Sequence, residues 1–220
     1  MSVADSLLAE ALIIQPSNVL ARYDRCMLRR AQTRYEEAVT VCRELVDDLY
    51  RRPLAYKEMW EDYLYLGQPD QAIAAFTTAD HLVKRAATRW TWLLGGGWAY
   101  LQVGNYAQAI EWLRRALEQR PRTYSARVWL IAAYALSGRQ QDAAAELAEL
   151  QRAQPELFSR DDALAQMINT PGSPAFGENM RRVIEGLEKG GFPERMTKPL
   201  LAKTLVPVGS KNSAEGNASQ

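Results

Sequence analysis

At 220 residues, 47% of them hydrophobic, the chain is long enough for one packed core or one repeat array. Its formal charge of +1 gives no general pull toward nucleic acid or an anionic membrane, and acidic and basic residues interleave without a sustained run of one sign. The longest apolar run, Val128 to Leu136, falls far short of the ~20 residues a membrane helix needs. The start, MSVADSLLAE, lacks the basic and then apolar pattern of a signal peptide, so the expected compartment is the cytoplasm.

Helical periodicity predicts helices over 3–15, 18–31, 35–51, 54–66, 69–85, 88–103, 106–119, 122–137, 140–153 and 176–189. The first helix carries Ala4, Leu8 and Ala11 on one stripe and stops at Pro16. The same stripe returns as Ala38, Cys42 and Leu45, then as Ala72, Phe76 and Ala79. It returns again as Ala109, Leu113 and Ala116, and as Ala143, Leu147 and Leu150. The five leading alanines are spaced 34, 34, 37 and 34 residues apart. Pro121 and Pro155 close the last two stripes as Pro16 closes the first, because proline cannot continue a helix. Tyr50, soon followed by Pro53, and Lys84 stand at that position in the other two units.

A second helix precedes each of the last four alanines. Gly67, Gly104 and Gly138 stand in the turn between the two, with Thr33 the exception. Tyr63, Tyr100 and Tyr134 stand four residues before those glycines, with Arg29 the exception. Each unit is helix, short turn, helix, stop. This pattern resembles the tetratricopeptide repeat family, W-x2-L-G-x2-Y…A-x3-F…P at 34 residues. The best matches are GGWAYLQVGNYAQAIEWLRRALEQRP and LIAAYALSGRQQDAAAELAELQRAQP, and the resemblance covers residues 3 to 155. It implies an all-α right-handed superhelical solenoid of helical hairpins, closed by a C-terminal capping helix. The implied units are a half repeat at 3–16 and full repeats at about 18–52, 53–86, 88–121 and 122–155, an array spanning 1–157. A connector and capping helix follow at 158–205, with Met180, Val183, Ile184 and Leu187 at helical spacing before Gly190-Gly191. The tail at 206–220 is small and polar, the composition of a disordered segment.

Two departures from the repeat pattern stand out. Trp60 and Ile131 occupy a position where the family has a small residue, so Trp60 is expected to splay its two helices or to cap the core at its edge. Gly95-Gly96-Gly97 falls inside a helix, where each glycine costs ~1 kcal/mol relative to alanine. Close helix packing is the expected reason, and a kink that shapes a groove is the alternative. The stretch RRVIEGLEKGGFPE (Arg181 to Glu194) is also similar to the end of tetratricopeptide arrays in bacterial proteins with an adenylate-cyclase or winged-helix domain. That similarity implies a partner-sensing array and transfers no cyclase or DNA-binding residue.

Candidate chemistry is sparse. The single histidine, His81, has no partners for a triad or a typical metal site. The acidic pairs Glu36-Glu37, Asp47-Asp48, Glu61-Asp62 and Asp161-Asp162 are sequence neighbours that diverge by about 100° on a helix, and are expected on solvated faces. Cys26 and Cys42 are expected as buried thiols in a reducing compartment. No cofactor or metal is expected, and the chain is not expected to be an enzyme.

The resemblance implies a binding groove lined by the first helices of successive units. Carried over by position, it places Tyr23, Met27, Lys57, Glu61, Leu64, Tyr65, Leu94, Trp98, Leu101 and Val128 on that face, with Trp98 partly available. Some family members hold a peptide carboxylate with Lys, Arg and Asn side chains. Here only Lys57 has that character, with Glu61 one turn away, so an amphipathic helix or an extended apolar segment is the better expected ligand. The chain's own C-terminal helix filling part of the groove is the alternative. The implied role is a protein-interaction scaffold with a protein or peptide partner, and no nucleic-acid or membrane partner. The rival role is the partner-sensing half of a larger bacterial signalling protein. The first stripe lacks a preceding helix, so Leu7, Ala11 and Ile14 are expected to face water and to offer a homodimer contact, with an upstream domain absent from this chain or a frayed first helix as the alternatives.

Overall fold

The computed structural model describes residues 2–46, 52–82, 87–153 and 172–192. Ten helices appear among them and no strand: α1 Val3–Ile14, α2 Val19–Ala31, α3 Tyr35–Arg43, α4 Arg52–Tyr65 and α5 Pro69–Leu82. The remaining five are α6 Arg89–Gln102, α7 Tyr106–Gln119, α8 Tyr124–Leu136, α9 Gln140–Ala153 and α10 Pro174–Lys189. Side-chain caps start several of them. Ser2 and Asp5 form a reciprocal capping box on α1, and Asn18, Asn105 and Ser173 each accept a backbone N–H at α2, α7 and α10. The helix expected over 35–51 ends at Arg43 and runs on as turns to Val46, and 47–51 lie outside the described residues. So do most of the connector, the 206–220 tail and the acidic pairs at 47–48 and 161–162.

Each helix from α1 to α8 packs on its successor, and α10 folds back onto α8 and α6 rather than extending the row. Ala38, Ala72, Ala109 and Ala143 are buried where paired helices cross, as an all-α solenoid requires. Ala4 is exposed, and α1 buries no residue, because no described helix packs on its outer side. Gly67, Gly104 and Gly138 close α4, α6 and α8 with φ between 72° and 78°. Thr33 adopts the same left-handed conformation, φ 59°, so the turn survives without glycine at a local cost.

The triple glycine serves close packing. A Cβ on Gly95 would stand 2.1 Å from Phe76 of α5, one on Gly96 2.3 Å from Trp112, and one on Gly97 2.5 Å from Leu113 of α7. α6 therefore lies nearly backbone-deep against both neighbours. The Trp60 ring packs on Phe76, 4.5 Å between centroids, and its edge would lie 3.0 Å from a Cβ on Gly95. Trp60 is half-buried at the core edge, which is the capping role expected of it.

One expectation is corrected. Cys26 and Cys42 are joined as a disulfide rather than standing as thiols. α2 and α3 pack directly on each other, and the two Cα atoms lie 5.4 Å apart.

Two substitutions test this packing by chemical denaturation. Thr33→Gly should raise stability by about 0.5–1 kcal/mol by removing a strained left-handed residue. Gly96→Ala should lower it by about 1–3 kcal/mol despite alanine's better helix propensity, because the methyl group has no space beside Trp112.

Candidate functional site: the face of the first helices

The first helices of the units, α2, α4, α6 and α8, each contact the next. The ten residues expected to line a groove divide between two halves of their shared face. Tyr23, Met27, Lys57, Glu61 and Leu94 are half-exposed. Leu64, Tyr65, Trp98, Leu101 and Val128 are buried, and Trp98, expected to be partly available, is only 5% exposed.

α10 lies against two of these buried residues, Tyr65 and Trp98. Phe176 packs against Tyr65 and Trp98 at centroid separations of 5.2 and 6.1 Å. Met180, Val183, Ile184 and Leu187 are fully buried along the same side of the helix. The Ser173 N–H donates to the Tyr65 carbonyl at 2.8 Å, and Arg182 Nη1 donates to the Gln102 carbonyl at 3.0 Å. Gly186 lets α10 approach α8, since a Cβ there would lie 3.0 Å from the Ala132 carbonyl oxygen. Trp98 itself lies flat on Trp129 of α8, with centroids 5.4 Å apart and planes 1° apart, and meets Trp60 and Tyr65 edge-on. Trp98→Ala is thus a core truncation costing about 3–5 kcal/mol rather than a clean probe of a free surface. The closed face has unpaired polar groups. Among the described residues, the Trp98 indole N–H and both ends of the Gln102 amide are buried without a hydrogen-bond partner, a cost of about 1–3 kcal/mol for each such group.

The open half carries a charge cluster. Arg30 is buried on α2 and engages three carboxylates of α4. Its guanidinium donates to Asp62 Oδ1 and Oδ2 at 2.7 and 3.1 Å, to Glu58 Oε2 at 2.6 Å and to Glu61 Oε2 at 2.7 Å, and also to the Glu58 carbonyl. Tyr23 donates to Glu58 Oε1 at 3.2 Å, and Lys57 lies at the same distance from that oxygen. Asp62 is completely buried, a correction to the expected solvated Glu61-Asp62 pair. Burial pushes its carboxyl up to about 6, with Glu61 and Glu58 adding to the rise against the opposing pull of Arg30. Burial acts the same way on Glu58, but Arg30 and Lys57 outweigh it and hold that carboxyl below its ordinary value. The pairing leaves Arg30 and Lys57 committed to carboxylates, which weakens any clamp for a peptide carboxylate.

Sequence reasoning missed Arg30, Glu58 and Asp62. Glu58 and Asp62 stand four residues apart on one side of α4, and that spacing, rather than the adjacent pair, carries the signal. Arg29, the exception at the tyrosine position, pairs with Asp5 and tethers α1; it holds the Asp5 carboxyl well below the usual range. The Cys26, Cys42 and Asp62 ligand atoms lie within 4.8 Å of one another, a donor set of the zinc type if the disulfide is reduced. Arg30 already engages both Asp62 oxygens, so the trio fits charge pairing better than metal chemistry.

The comparisons agree with this architecture. Residues 94–157 match the tetratricopeptide repeat family model. Residues 94–157 carry tetratricopeptide repeats. The array superposes on PilW, a widely conserved type IV pilus biogenesis factor, at TM-score 0.65 and 18% identity, over 89% of each chain. It superposes on a tetratricopeptide repeat protein from Parabacteroides merdae ATCC 43184 at TM-score 0.61 and 16% identity, over 90% of each chain. YrrB, a tetratricopeptide repeat protein with an unusual peptide-binding site, gives TM-score 0.59 and 16% identity over 89% of this chain and 95% of that one. At these identities the likeness is one of fold. No curated protein is significantly similar in sequence. Among the described residues, no helix of the repeat array is long and apolar enough to cross a membrane.

The buried Asp62 predicts a pH signature. Its folded-state value, about 6, lies above the ordinary 3.8, so the folded state binds the proton more tightly. Its contribution to stability is therefore present below about pH 4 and is lost as pH rises through 6. The stability of wild type relative to Asp62→Asn should fall across that window, by at most about 3 kcal/mol. Urea titrations at pH 4, 5, 6 and 7 read this, and a difference that rises with pH contradicts it.

Proposed function

We propose that the repeats form a protein-interaction scaffold that docks an apolar helical or extended segment of a partner across the face of the first helices. The supporting observation is the half-exposed patch of Tyr23, Met27, Lys57, Glu61 and Leu94, beside which α10 already seats a helix on the same face. Of the buried residues on this face, Tyr65 and Trp98 lie against Phe176 of α10. Binding rather than catalysis is supported by the charge cluster, whose carboxylates face Arg30 and Lys57 rather than an open cleft. Four full repeats and an N-terminal half repeat are part of this reading, as is a partner that is protein rather than nucleic acid or membrane. The partner-sensing half of a larger bacterial signalling protein is the rival, supported by the Arg181 to Glu194 similarity alone.

The proposed compartment is the cytoplasm, against which the Cys26–Cys42 disulfide weighs, since a reducing pool disfavours such a bond. Intact-mass measurement of the alkylated native protein reads this. Two modified cysteines support the cytoplasm, and none places the chain in an oxidising compartment.

Met27→Glu with Leu94→Glu should weaken capture of the partner about tenfold or more while shifting the thermal midpoint little, since both side chains are half-exposed. Unchanged capture by the folded double variant contradicts the reading.

A second reading rests on α1. Leu7 and Ile14 are 60% and 78% exposed, with Ala11 half-buried between them and Val3 and Ile13 exposed nearby. This apolar surface suits a contact between two copies about a two-fold axis. Sedimentation should show a dimer that Leu7→Glu with Ile14→Glu returns to monomer. A monomeric wild type at the same concentration rejects it.

A further inference from the structure

We propose that α10 is a tethered occupant of the docking face, and that this half of the face accepts in exchange an amphipathic helix from a partner protein. The inference rests on the docking role above and specifies the ligand. α10 itself supplies the template. Phe176 is followed by Met180, Val183, Ile184 and Leu187, at offsets of four, seven, eight and eleven residues, and all five are buried. This is the i, i+4, i+7 order of a helix laid into an apolar groove. Gly186, ten residues after Phe176, stands where α10 crosses α8, and only a residue without a side chain fits beside Leu136 and the Ala132 carbonyl. A partner helix therefore needs an aromatic residue at its start, an aliphatic stripe after it and a glycine near its end.

Three features mark α10 as an occupant rather than a further repeat. It does not pair with α9 in series, but lies back across α8 and α6 and reaches the end of α4 through Ser173 and Phe176. Twenty residues, 154–173, separate it from α9, whereas the turn inside a repeat is only a few residues long. Its seat is imperfect. Arg182 of α10 reaches the Gln102 backbone carbonyl, yet among the described residues the Gln102 side chain and the Trp98 indole N–H remain buried without partners. A helix that presents an Asn or Gln within reach of Gln102 makes hydrogen bonds that α10 leaves unmade, and so competes with the tethered segment. Tethering favours α10 against a free helix of equal intrinsic affinity. The exchange therefore selects for partners that bind better than α10.

The test uses the whole chain with a sequence-specific protease site placed between 158 and 170. After cutting, a fluorescein-labelled peptide of residues 172–192 is added and its anisotropy followed. The cut chain should take up the label, with the intact chain at least tenfold weaker, and unlabelled peptide should displace it. A peptide carrying Gly186→Leu should fail to compete. Two results overturn the proposal: a cut chain that stays folded and keeps its own α10 without exchange, or one that loses its helical signal once α10 is diluted away. The second would make α10 an integral part of the core. Exchange needs no natural partner. If it succeeds while Met27→Glu with Leu94→Glu leaves partner capture unchanged, the docking role fails and the occupant stands. If exchange fails while that double variant abolishes capture, the docking role stands with α10 as a fixed wall.

Discussion

Trp98 stands where four helices meet, and the packing around it depends on the absence of side chains on the preceding turn. Gly95, Gly96 and Gly97 let α6 sink against Phe76 on one side and against Trp112 and Leu113 on the other. From that position the Trp98 ring stacks on Trp129 of α8, meets Trp60 and Tyr65 of α4 edge-on, and supports Phe176 of α10. The helix cost of three glycines, ~1 kcal/mol each, is offset by contacts that no residue with a Cβ would permit.

The two ends of the array are held together differently. Toward the C-terminus the face is apolar and closed, and its large side chains belong to one continuous core. Toward the N-terminus a smaller cluster around Cys26, Cys42, Val39 and Met59 is supplemented by charge. Arg30 joins α2 to α4 through three carboxylates, and the disulfide joins α2 to α3. α1 is held through Asp5 and Arg29 and buries no residue. Buried charge pairs of this kind add little net stability over an apolar equivalent, yet removing one partner is costly, so the cluster acts mainly to fix how α2 and α4 align. The exposed half of the first-helix face lies at this polar end.

The repeat architecture was legible in the sequence because the alanine stripe and the turn glycines impose local rules that tertiary packing only reinforces. Thr33 shows the limit of such rules, since the left-handed turn formed there without glycine. The exposure of the face was less legible. The resemblance assigns Leu64, Trp98 and Val128 to the face of the first helices, but it cannot say that a segment about eighty residues further along would fold back over Trp98. That outcome depends on where the chain goes after Ala153, which has no repeat pattern to guide it. The Arg30 cluster was missed because its partners are 28 to 32 residues away in sequence and their pairing emerges only when two first helices pack side by side.

Hydrogen exchange read by mass spectrometry on the intact chain tests most directly whether the apolar half of the face is closed by α10. The account predicts slow exchange for residues 178–189, slower by at least tenfold than for α1, with further slowing in α8 and α6 beneath them. Exchange in 178–189 as fast as in α1, with Trp98 open to a small quencher, would contradict it.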